Sequence, residues 1–440
     1  MKRKLQDVTI SSLVATTIAV ILLLVPFHAF LTVWASSGVG HYTALRLWKE
    51  TLLLLAGLGA LWLVYRDRQL RETIKSNWLY RFIFLYALVT LVWGAVSYVQ
   101  GSVTTKAVLY GELLNLRPFV MLSVAMVAAS SAPWLYARWQ RLVLWPAAGV
   151  VTIGLLQYFV LPYDVMKHFG YSANTIWPYE TIDHKKSYIR IRSTLRGANL
   201  LGAYVIIILS VLGEKLRVRR PHISVVGATI ATIIVLFASG SRGAWLGMVA
   251  AVVVLGWLRL PSRRAKRGFL LLGMAIVIIL SGLVVALRNN DFVQNIVFHT
   301  DEHSTSKVSS NSAHVSYSID AAKEIATEPL GRGPGTAGPA GVYNSGHPAR
   351  ISENYFLQIG QETGWLGLAL LIAIFVLIIK NLWQRRTLVL AQVLLASFAG
   401  LSVMALLMHL WTDDTVAYLW FGLAGIALAQ PFGDKHATTS

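Results

Sequence analysis

Three arginines in seven residues, Arg190, Arg192 and Arg196, stand directly before an apolar run that begins near residue 198. Arginine suits phosphate because its planar fork donates two hydrogen bonds and stays charged in a dry site. The same residues also suit snorkelling toward lipid headgroups, and spacing alone leaves both readings open. A fourth arginine, Arg242, lies in the tight turn Ser241, Arg242, Gly243, Ala244, Trp245 between two apolar runs. A cation at a membrane boundary needs an anionic partner. Trp245 itself reads as part of an aromatic belt. Further on, His347, Arg350, Ser352, Glu353, Asn354 and Tyr355 precede another apolar run. A partly desolvated Glu353 can take the proton of a hydroxyl as a general base. Its other reading is an acid at a helix N-terminus, capped by Ser352.

Other candidates carry less. The stretch Pro329 to Gly338 contains Gly333, Gly335 and Gly338 in a GxGxxG spacing. It follows a helix-like stretch and lacks the strand before and helix after that a dinucleotide site requires, so it reads as a turn. His299, His303 and His314 have no zinc-like spacing, and no paired acidic motif suggests a divalent-metal transferase. Asp413 and Asp414 form an acidic pair in a short turn, read as a salt bridge to the arginines before metal binding. The chain has no cysteine, which excludes a disulfide, a thiolate metal site or a cysteine nucleophile. No metal or cofactor is expected.

The elements that must position these residues are membrane spans. The 440 residues are 55% hydrophobic and 13% charged, with a mean hydropathy of +0.58. That is too apolar for a soluble fold of this size. Apolar runs fall near residues 8–34, 46–65, 79–99, 107–130, 142–161, 198–213, 222–239, 244–258, 269–287, 355–379, 388–409 and 415–430. Each is read as a span, the first as retained and not as a signal peptide. The fold class is therefore an all-α integral membrane protein of about twelve transmembrane helices, with a long outer loop containing short helices. With the N-terminus inside, 22 basic residues fall in short segments on the cytoplasmic side, and both termini are placed there. The net charge of +19 is then explained by orientation and by attraction to an anionic leaflet, with no nucleic acid.

The organisation that follows is residues 1–197 with five spans and an outer segment at 162–197, then 198–287 with spans six to nine. A large outer loop at 288–354 and spans ten to twelve at 355–430 come next, then a cytoplasmic tail at 431–440. The two outer segments are the only long connections, which places function there. The larger holds one helix-like stretch, His314 to Thr327, with Ala321, Ala322 and Ile325 as its apolar face and Pro329 as its stop. It is a candidate lid. No internal repeat and no matching broken helices are visible, which speaks against a secondary transporter.

Four patterns, in order, resemble the O-antigen ligase and polymerase family. They are Arg190, Thr194 and Asn199 before a span; Ser241 to Trp245; an amphipathic helix followed by Pro-Leu-Gly-x-Gly-x-Gly, from His314 to Gly338; and SENYFLQIGQETGWLG, from Ser352 to Gly367. The resemblance covers about residues 190–370. Family members usually carry histidine where Glu353 stands in the ligases, and many carry arginine where His314 stands.

The resemblance implies a multi-span glycosyltransferase of the bacterial inner membrane, working at the outer face on a polyprenyl-diphosphate-linked oligosaccharide donor. Its acceptor is a sugar on a lipid-linked glycan or a lipid core. The bilayer, and a chain-length regulator as a candidate, complete the partners. Arg190 and Arg242, aided by Arg192 and Arg196, would hold the diphosphate. Glu353 would be the base; His314, His347, Asn354 and Asn199 would line the sugar site and lid. The glutamate tilts the reading toward a repeat-unit polymerase, with a ligase or a non-catalytic flippase for the same lipid as alternatives.

Overall fold

The computed structural model describes residues 2–182, 185–290, 293–294, 310–348 and 350–430. In hydrocarbon every backbone N–H and C=O must be satisfied within its own segment, so the apolar runs become helices. In chain order these are α1 (Thr9–Val39), α2 (Tyr42–Arg66), α3 (Trp78–Val99), α4 (Thr105–Ser131), α5 (Trp139–Phe159), α6 (Ala198–Lys215), α7 (Ile223–Ala238), α8 (Arg242–Arg259) and α9 (Arg263–Ala286). After the loop helix α10 (Ser310–Thr327) come α11 (Tyr355–Gln384), α12 (Val389–Ala405) and α13 (Asp414–Leu428). Among the described residues nine of these helices are long and apolar enough to cross a membrane, while α7, α12 and α13 are apolar but shorter. Every expected span coincides with an apolar helix. Of the expected twelve spans, nine are thus of full crossing length among the described residues. The all-α reading also missed a two-stranded antiparallel ribbon in the first outer segment, β1 (Glu180–Ile182) and β2 (Lys185–Arg190), with Glu180 opposite Arg190.

The centre of the bundle is α13, buried along its whole length. It approaches α4 closely because Gly425 has no side chain: a Cβ there would lie 2.3 Å from the Leu122 carbonyl oxygen. A second close crossing joins α8 to α12, where Gly247 and Gly400 face each other's backbone. Small residues permit such contact, and with no hydrophobic effect between helices in lipid, packing is what holds them. The α9 helix instead turns its large apolar side chains outward, Leu271, Ile278 and Ile279 among them.

Charge is also buried. Asp414, at the start of α13, pairs with Arg117 of α4, with Lys49 of α2 at 3.2 Å and with His28 of α1 at 3.1 Å. Glu50 completes the group, 3.1 Å from Arg117 and 2.9 Å from Lys49. The expected bridge from the Asp413 and Asp414 pair to the outer arginines is therefore corrected for Asp414: its partners come from inside three other helices.

The glycine-rich stretch is more than a turn. Helix α11 is broken at Gly364, which takes φ +64° and ψ −164°. A break inside an apolar helix strands backbone groups, and these must find partners. Arg332 and Gly333 donate their N–H groups to the carbonyls of Gln361 and Glu362 at 3.0 and 2.8 Å, and Trp365 donates to the Pro329 carbonyl at 3.0 Å. The loop thus completes the broken helix. It lies so close that a Cβ on Gly335 would sit 2.2 Å from the Ala107 carbonyl oxygen of α4. The Glu362 side chain pins the loop from below, accepting from Gly335 N–H at 3.0 Å and from Asn115 Nδ2 at 2.8 Å.

Candidate functional site

The arginine segment is fixed by three helices. Ser193, at φ +52°, donates its hydroxyl to the Val150 carbonyl of α5 and its N–H to Gln157 Oε1 at 2.7 Å. Thr194 donates to the Pro26 carbonyl at 2.8 Å, where a 3-10 turn interrupts α1. Ile191 N–H donates to the Ala238 carbonyl at the end of α7. Arg190 donates from Nε to the Ser239 carbonyl at 2.9 Å and from Nη2 to Asn199 Oδ1 at 2.5 Å. Arg192 is buried and lies 3.4 Å from Glu180, the carboxylate that also accepts the first N–H of α6, from Ala198.

Arg242 joins them as the first residue of α8, behind the Ser241 cap. Gly240 makes the turn at φ +59°, and the Arg190 side chain packs on it, 3.2 Å from where a Cβ would be. Burial pushes Arg190 below its ordinary value, Glu180 raises it, and the charges of Arg242 and Arg192 lower it further. Guanidinium groups held close together suit an anionic group such as a phosphate. Arg196 stands apart, exposed on the segment's far end and acting on Asp413.

At the other side of the same end of the bundle, Glu353 holds φ +50°. A non-glycine residue there is strained, and strain is retained where the surroundings require it. The alternative reading of Glu353 as a first-turn acid capped by Ser352 is corrected: Asn354 is the cap, its Oδ1 accepting from Phe356 and Leu357 N–H at 2.9 and 3.1 Å, and Glu353 precedes it outside the helix. The Asn354 oxygen, expected in the sugar site, is thus engaged in capping. Asn199 is engaged with Arg190 but exposed.

His347 is exposed on a turn beyond the glycine-rich stretch. His314 belongs to α10, whose start is earlier than expected, at Ser310. His299 and His303 lie outside the described residues. The α10 helix is clamped to α11: Ala321 and Ile325 are buried, whereas Ala322, expected beside them, is exposed. Glu324 Oε2 accepts from Arg350 Nε and from Gln361 Nε2, both at 2.7 Å.

The two sides meet through the segment between α12 and α13. Leu407 contacts the Cβ position of Gly243 at 3.4 Å, next to Arg242. Two residues on, His409 lies within electrostatic reach of Glu353. Neither His409 nor the buried pair Lys49 and Arg117 was legible as special. A lysine or arginine inside an apolar run was the available signal for the latter two.

The family described as O-antigen ligase matches residues 227–372. Residues 227–372 are an O-antigen ligase domain. The domain includes Arg242, α10, the glycine-rich loop, Glu353 and the broken part of α11. The resemblance read from the residues is thereby upheld over this part. A domain of this family implies membrane glycosyl transfer of the ligase and polymerase type, on lipid-linked glycan. No curated protein matches the chain. Arg190, Arg192, Asn199 and His409 lie outside the O-antigen ligase domain in sequence, yet Arg190 reaches the turn that follows its first helix.

Proposed function

We propose that the protein polymerises lipid-linked oligosaccharide repeats at the outer face of the bacterial inner membrane, by inverting transfer from a polyprenyl diphosphate. The observation that carries this reading is that Arg190 and Arg242 meet at the Ser239 to Ser241 turn, with the charge of Arg192 acting on Arg190, at the end of the bundle where Glu353 stands. A diphosphate leaving group gains charge as the glycosidic bond breaks, and guanidinium groups already held by Ser239, Asn199 and Glu180 need no reorganisation to meet it. Glu353 accepts the acceptor hydroxyl's proton as that oxygen attacks the anomeric carbon opposite the diphosphate. The carbon–oxygen bond to phosphate breaks, its electron pair leaves with the diphosphate, and the configuration inverts. The basic residues of the short segments support cytoplasmic termini and an outward site.

Glutamate at position 353, where the ligases usually carry histidine, favours a polymerase; the description of the matched family favours a ligase. Deleting the gene in its host and sizing the accumulated saccharides separates them. Single repeats on the carrier lipid, with long chains lost, are the expected result. Long chains stranded on the carrier would mean ligation. Glu353→Gln should lower transfer by about 10²- to 10⁴-fold, the usual worth of a general base. Full transfer by that variant would remove Glu353 from the chemistry. Translocation lost in place of transfer would mean a flippase.

A further inference from the structure

His409 is a polar side chain at this end of the bundle that the transfer reaction has not yet used. Both ring nitrogens, Nδ1 and Nε2, are shut away from solvent, and neither has a hydrogen-bond partner among the described residues. A buried donor or acceptor left unmade is costly, so such a group points to a partner that arrives later. The segment that carries it is also held in place. On one side Leu407 rests on Gly243 of α8. On the other, Trp411 is wholly buried, its ring centroid 5.8 Å from Phe375 of α11 and 5.4 Å from Trp420 of α13.

Glu353 is the charged group that acts on it. Burial pushes the His409 imidazole down to about 4, against the upward pull of the Glu353 carboxylate. At neutral pH the ring is uncharged, with one N–H to give and one lone pair to fill. We infer that His409 is the positioning partner of Glu353, donating its ring N–H to one carboxylate oxygen when the acceptor sugar is bound and so turning the other toward the attacking hydroxyl. This rests on the reading of Glu353 as the base. Bonds of this kind are often long in an unliganded site and close only around substrate. The bookkeeping is unchanged by the partner: the hydroxyl proton passes to the free Glu353 oxygen, the new bond forms to the anomeric carbon, and the diphosphate leaves with the electron pair. His409 keeps its own proton throughout.

The test is a double-mutant cycle on the full-length protein in detergent, with a synthetic polyprenyl-diphosphate-linked repeat as donor and acceptor and rates normalised to monodisperse protein. His409→Phe should lower kcat tenfold or more while KM stays within about twofold. His409→Asn or His409→Gln, which restore an N–H, should recover part of the loss. In a Glu353→Gln background, His409→Phe should cost nothing further, because the carboxylate it positions is gone. Losses that multiply would make His409 merely structural, and an unaffected His409→Phe enzyme would overturn the inference while leaving the base intact. Full activity of Glu353→Gln would remove the base, and the inference with it.

Discussion

At the scale of single residues, the site is a contest between burial and charge. Asp413 shows it most plainly: burial and the neighbouring Asp414 raise its carboxyl to about 6, although Val416 N–H, Arg196 and Arg117 pull the other way. Its folded value exceeds the unfolded one, so its stabilising contribution is complete below about 4 and is lost as pH rises through about 6. Two units correspond to roughly 3 kcal/mol. Asp413→Asn keeps the oxygen that caps α13 at Val416, 3.0 Å away, but removes the titration. The difference between the thermal unfolding curves of the two proteins in detergent should therefore grow from pH 4 to pH 6.5 in the variant's favour. A difference independent of pH would mean that Asp413 ionises normally. His409 titrates with the opposite sign in the same window, being held below its ordinary value. It cancels in the comparison because both proteins carry it.

At the scale of elements, the glycine-rich loop and the broken α11 are one structure. Two of the motifs that resemble the family, Pro-Leu-Gly-x-Gly-x-Gly and Glu-x-Gly-x-x-Gly, are the two halves of it: the loop supplies the N–H groups and the carbonyl that the break at Gly364 requires. Their spacing was legible in the sequence, but the sequence reading took the first for a plain turn. Nothing local in Gly333 or Gly335 says that Ser97 or Ala107 will lie against them. Gly335→Ala combines a left-handed φ of +86° with a clash against backbone that cannot yield, and it should cost several kcal/mol. Gly346→Ala has a similar φ of +87° but open space around it, so only the conformational cost of about 1–2 kcal/mol remains. Limited proteolysis of the loop and the midpoint of thermal unfolding would rank the two. Equal effects would mean that close packing of the loop contributes nothing.

At the scale of the whole molecule, an ionic group ties four helices to the segment that carries His409. Arg117 donates to the Thr412 carbonyl as well as pairing with Asp414 and Glu50, and it is 3% exposed. Removing one partner of a buried pair leaves a charge uncompensated, which costs about 3–5 kcal/mol. Arg117→Leu should therefore unfold far more easily in detergent and lose transfer with it, although no atom of Arg117 need touch substrate. Arg117→Leu with Asp414→Leu should be more stable than Arg117→Leu alone, since Lys49 and Glu50 still pair with each other. If the double variant is the less stable, the group holds the helices by shape and not by charge balance.

Composition and hydropathy period determined the membrane class, the positions of twelve apolar helices and the sites of the four candidate arginines, because burial in hydrocarbon constrains long stretches and each stretch reports it locally. The stop of α10 at Pro329 and its buried Ala321 and Ile325 were legible for the same reason. Only the tertiary structure decided that Arg190 and Arg242 meet at one turn, that Asp414 pairs inward, that Asn354 caps α11, and that His409 lies within electrostatic reach of Glu353 with its nitrogens unfilled. Those facts depend on contacts between residues far apart in the chain, and no periodicity along the chain encodes which distant backbone a side chain will meet.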